Sequence, residues 1–156
     1  MTDLLTALAA SSFSTWVRES PSIWAYPTIL TLHTVGLGVL VGASWMVDLR
    51  LLGFASAIPT TALSRAFPTM WAGFWLNAFT GLLLFVGDPM KATTTVFAWK
   101  LGIIVVGVLL MIALKRRLAG RDVDAVGAGG GVRAIAIASL VLWVAAIATG
   151  RWMAYA

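Results

Sequence analysis

The chain has 156 residues, of which 60% are hydrophobic and only 11% charged, and its mean hydropathy is +0.94. A soluble domain carries roughly a quarter charged residues and about half apolar ones, so most of these side chains call for lipid rather than water. The net charge of +5 would suit nucleic acid in a soluble protein, but the basic residues stand at the ends of apolar runs, where they report topology. No nucleic-acid partner is expected. The absence of cysteine excludes disulfides, thiolate metal sites and cysteine nucleophiles.

The chain opens without a basic stretch, and its first apolar run is broken by Ser11, Ser12 and Ser14, which argues against a signal peptide. Residues 3–19 read instead as an amphipathic helix. Leu5, Leu8, Phe13, Trp16 and Val17 fall at helical spacing, and Asp3, Ser11, Ser14 and Arg18 lie mainly opposite. Such a helix either lies in the membrane interface or packs on the mouth of a bundle. Ser20-Pro21 is a helix-start signal, and the first span is expected over about 23–52, with Pro27 free to bend its start. Residues 55–68, with Pro59 and Pro68, read as a loop. The second span is expected over about 69–86, stopped by Gly87-Asp88-Pro89. The third follows over about 96–114, then a charged, glycine-rich loop, and the fourth over about 132–153. The fold class is therefore all-α, a four-helix membrane bundle with an N-terminal interfacial helix, built as a single membrane domain.

Arg50, Arg65 and the basic loop from Lys115 to Arg133 fall on one side of that bundle, and Arg18, Lys91, Lys100 and Arg151 on the other. The more basic side is expected to be cytoplasmic, which puts both termini in the periplasm of a bacterial inner membrane. Trp16, Trp24, Tyr26, Trp99, Trp152 and Tyr155 then form an aromatic belt at the outer interface.

Polar residues inside the spans are few, and each is informative because it is costly in hydrocarbon. His33, the only histidine, falls in the outer half of the first span, with Leu37, Leu40, Ser44 and Asp48 on the same face and Gly36, Gly38 and Gly42 nearby. Asn77 and Thr80 in the second span, Lys100 in the third and Arg151 in the fourth reach a similar depth. These residues could face one cavity. A neutral imidazole can ligate haem iron, and basic side chains at the rim can pair with haem propionates. Two other readings stay open: His33 can bond a neighbouring helix and bind nothing, and Lys100 and Arg151 can be snorkelling anchors. Asp48 and Arg50 can form an interface ion pair or anchor the second helix. A copper site using Met46, Met70, Met90 or Met153 is conceivable, though these methionines are scattered.

The strings LHTVGLGVLVG, DLRLLG, TGLLLF, FAWKL and LWVAAIATGRWMAY resemble a family of small bacterial four-helix membrane proteins with no assigned activity, over nearly the whole chain. More distantly, the layout is similar to the membrane domains of copper-resistance D-type proteins and of HemJ-type protoporphyrinogen oxidases. His33 and Lys100 match the histidine of the first span and the lysine of the third in those proteins. The resemblance implies a haem b or porphyrin pocket with His33 as the metal ligand and Asn77, Lys100 and Arg151 around it. With no second histidine, the sixth position would fall to Lys100, a methionine, water or a neighbouring subunit. The functional expectation is a haem-b or porphyrin-binding membrane redox protein. The alternatives are a non-catalytic accessory subunit of a larger membrane complex and, third, a small copper or solute transporter. A homo-oligomer or larger complex is expected in any of these, since four small helices bury little alone.

Overall fold

The computed structural model describes residues 2–119 and 129–153. All regular structure among them is helical: α1 (Thr2–Ala9), α2 (Ser12–Glu19), α3 (Tyr26–Leu52), α4 (Thr60–Gly87), a 3-10 turn (Pro89–Thr93), α5 (Thr95–Leu118) and α6 (Gly130–Trp152). Four of these, α3 to α6, are long and apolar enough to cross a membrane. The expected all-α, four-span architecture is the one observed. The centre of the glycine-rich loop, Arg121 included, and Tyr155 lie outside the described residues.

The expected single helix over 3–19 is two helices. Ser11 caps α2, its Oγ accepting the Ser14 N–H at 3.2 Å, so the serine run ends one helix and starts another. Both pack on the mouth of the bundle. Ser14 donates to the Gly87 carbonyl at 3.0 Å, and a Cβ at Gly87 would stand 2.7 Å from Val17. Phe13 and Trp16 remain exposed, as an interfacial helix requires.

The first span begins at Tyr26 rather than near Ile23, because Ser20 ends α2 and Ser22 holds a local turn, accepting from the Trp24 N–H. Pro27 then falls in the first turn of α3, where its missing N–H costs nothing, so it starts the helix rather than bending it. At the other end Gly53 adopts φ +93°, and Phe54 donates to the Leu49 carbonyl, closing α3 with a left-handed cap. The second span starts earlier than expected. Pro59 is its N-cap and Pro68 lies inside α4, which a membrane helix tolerates when neighbours satisfy the freed carbonyls. Arg50 donates to the Ile58 carbonyl at 2.6 Å and so anchors the α3–α4 loop.

In space α3 is central. It packs on α4 along one side and on α6 along the other, and α5 packs on α6. The core runs through Leu40, Val47, Leu51, Phe67, Met70 and Trp143. α5 is the most apolar span, with a mean hydropathy of 2.5 over its best window, and also the least buried. A helix that is apolar all round and uncovered by protein faces lipid. Between α4 and α5 the seam is sparse, and at one end it is closed by Phe85 stacked on Phe97 at 5.9 Å.

Candidate functional site

The site is built on the α3–α4 crossing. A Cβ on Gly36 would stand 2.7 Å from the Asn77 backbone nitrogen, and one on Gly73 would stand 2.6 Å from that of Leu40. Only glycine allows the backbones so close. One turn from Gly36 towards the N-terminus, this approach brings His33 directly onto α4. Its Nδ1 lies 2.9 Å from the Asn77 carbonyl oxygen and 3.2 Å from Thr80 Oγ1. Asn77 returns the contact, donating from Nδ2 to the His33 carbonyl at 2.8 Å. Gly81 makes room for the ring: a Cβ there would be 3.1 Å from His33 Cε1.

The partners fix the tautomer. A carbonyl oxygen can only accept, and the Thr80 hydroxyl spends its proton on the Leu76 carbonyl at 2.6 Å. Nδ1 is therefore the protonated nitrogen of neutral His33, and Nε2 keeps its lone pair. Nε2 has no hydrogen-bond partner among the described residues. A histidine that ligates a metal donates its other ring N–H to a carbonyl in this way, and so does one that only joins two helices.

The other expected residues are distributed unequally. Asn77 and Thr80 join His33 directly. Lys100 is half-buried on α5, and its Nζ would lie 4.0 Å from a Cβ on Gly150 of α6. It has no ion pair or hydrogen bond to a described side chain. Arg151 lies apart, exposed in the last turn of α6. Gly73 and Gly81 are missing from the sequence-derived site, although their spacing around Asn77 places all three on one face of α4.

No group of three or more histidine, cysteine or acidic side chains stands ready for a metal among the described residues. Of the methionines, Met90 and Met153 meet across a depression of about 260 Å³ that is also lined by Asp88, Lys91 and Thr94. Lys91 pairs with Asp88 there at 3.8 Å. Met70 is instead in the core and Met46 packs against it. No protein-family model, curated protein or solved structure matches the chain.

Proposed function

We propose that this is a haem-b or porphyrin-binding redox protein of the bacterial inner membrane, with His33 as the axial ligand. The observation that carries the reading is the Nδ1 bond to the Asn77 carbonyl, which aims a bare Nε2 away from α4. The donor set fits one axial bond. Gly81 lets the ring lie close against α4, and Lys100, half-buried on α5, is the basic group assigned to a propionate. Arg151, at the end of α6, would serve as a second propionate partner nearer the mouth. When bound, the group would supply one-electron chemistry. The chain's own task is to hold His33 in one tautomer and one orientation. Both termini belong in the periplasm on this reading. Reporter fusions after Leu118 and after Ala156 are expected on opposite sides of the membrane, and finding them on one side would remove that orientation.

The test is spectroscopic. The purified full chain, titrated with haem in detergent, is expected to develop a Soret band. His33→Ala should lose that band while still inserting into the membrane, and Arg151→Ala should only weaken binding. A second reading rests on the Asn77 bond to the His33 carbonyl and the Gly36–Gly73 approach, which suit pure helix packing in an accessory subunit. Gly38 and Gly42, where a Cβ would meet nothing within 4 Å, leave a small-residue face on α3 for contacts in a homo-oligomer or larger complex. A chain that takes up no haem, and in which His33→Ala and Asn77→Ala lower the thermal midpoint alike, would establish this second reading instead.

A further inference from the structure

A second polar cluster lies on the opposite side of α3, where it crosses α6. Asp48 is fully buried, at 0% exposure. Its Oδ2 accepts from Ser44 Oγ at 3.3 Å, and Ser44 in turn meets Ser139 Oγ of α6 at 3.2 Å. Both serines are buried, and Asp48 Oδ1 has no hydrogen-bond partner among the described residues. Trp45 and Trp143, on neighbouring turns of the same two helices, also bury an Nε1–H that has no partner among the described residues.

No cation is set against this carboxyl group among the described residues. Arg50 on α3 turns to the Ile58 carbonyl. Arg65 of α4, Lys115, Arg116 and Arg117 of α5 and Arg133 of α6 are exposed near helix ends. An anionic carboxylate buried between spans needs a counter-charge. An alkali cation would need more oxygens than one carboxylate and two hydroxyls, and the helices here run unbroken, so their carbonyls are already used. The smallest cation satisfies the site.

We propose that Asp48, framed by Ser44 and Ser139, is a proton-binding site inside the membrane. It carries its proton at rest and exchanges it when α3 and α6 loosen. The proton moves between Asp48 and water, one O–H bond breaking as another forms, and no other reactant is consumed. This inference is independent of any cofactor at His33.

Infrared spectroscopy of the full chain in lipid nanodiscs tests it. At neutral pH the wild type should show a protonated-carboxyl C=O band that shifts in deuterium oxide and is lost in Asp48→Asn. Raising the pH should remove the band reversibly and, in the wild type, speed amide exchange around Ser139 beyond the base-catalysed rise that Asp48→Asn also shows. Ser139→Ala should move the band without abolishing it, which keeps the test decisive if Asp48→Asn folds poorly. Absence of the band at neutral pH would overturn the proposal, as would a band that persists until the protein unfolds. So would a sodium- or potassium-dependent rise in thermal midpoint that Asp48→Asn abolishes, which would assign the site to an alkali cation.

Discussion

Against α4, helix α3 approaches through glycine; against α6 it approaches through side chains. The first crossing brings backbone onto backbone at Gly36 and Gly73, and its polar groups answer each other: His33 bonds the Asn77 carbonyl, and Asn77 bonds the His33 carbonyl. The second crossing interdigitates Ser44, Asp48, Ser139 and Trp143, and leaves a carboxyl oxygen and an indole N–H unanswered. A crossing whose two helices exchange bonds in both directions holds its geometry, because breaking it orphans polar groups in hydrocarbon. One with orphaned groups can be rearranged at less cost, since there is less to lose. The α3–α4 side is thus the more rigid of the two, and the α3–α6 side the one more easily rearranged.

The sharpest way to break this contrast is to add one methyl group to the glycine crossing. In Gly73→Ala the new Cβ would stand 2.6 Å from the Leu40 nitrogen and 2.9 Å from the Gly36 carbonyl oxygen. Backbone cannot move aside as a flexible side chain can, so the helices must separate and both His33–Asn77 bonds are lost. The expected loss is about 3 kcal/mol or more, at or beyond the upper end of ordinary overpacking. Gly42→Ala is the control. Its Cβ meets nothing within 4 Å, and replacing a helical glycine should leave stability unchanged or raise it by up to about 1 kcal/mol. Thermal unfolding in detergent measures both. Equal effects from the two substitutions would show that the crossing does not depend on glycine.

The spans were legible in the sequence because lipid imposes a length and a polarity that composition reveals directly. Their starts were less so. Pro27 and Pro68 each have two meanings, breaker or helix residue, and only the surrounding caps choose between them. The depth of His33, Asn77, Thr80 and Lys100 could also be counted off, but helix rotation could not. Gly36 and Gly73 set that rotation, and a close approach belongs to two helices at once. Asp48 was read as an end-of-span charge beside Arg50. The structure instead turns Arg50 to the Ile58 carbonyl and Asp48 to Ser44 and Ser139, a pairing invisible until α6 is set against α3.

A smaller effect sharpens the other half of the comparison. Trp143 is buried at the centre of the α6 packing, and its far ring edge, Cζ2 and Cη2, would lie 3.2 Å from a Cβ on Gly107 of α5. Truncating a buried tryptophan to alanine costs about 3–5 kcal/mol in a packed core. Trp143→Phe keeps most of the ring, and so should lose only on the order of 1 kcal/mol of packing. It also removes the indole N–H that bonds nothing, and relief of an unsatisfied buried donor returns about 1–3 kcal/mol. The two terms oppose each other, and the net change is expected within about 1 kcal/mol of zero. Adding Gly107→Ala should then improve on the single variant, because the new methyl group enters the space left by the tryptophan edge. In the wild type the same methyl would crowd that edge and Leu142 Cδ2, each at 3.2 Å, so Gly107→Ala alone should destabilise; Leu142 can turn its flexible end aside, and the tryptophan edge cannot. The sign reversal of Gly107→Ala between the two backgrounds is the measurement. If Gly107→Ala has the same effect in both, Leu142 rather than Trp143 sets the space beside Gly107. If Trp143→Phe alone costs as much as a full truncation, the indole N–H is not an orphan, and the α3–α6 crossing is as fully bonded as its neighbour.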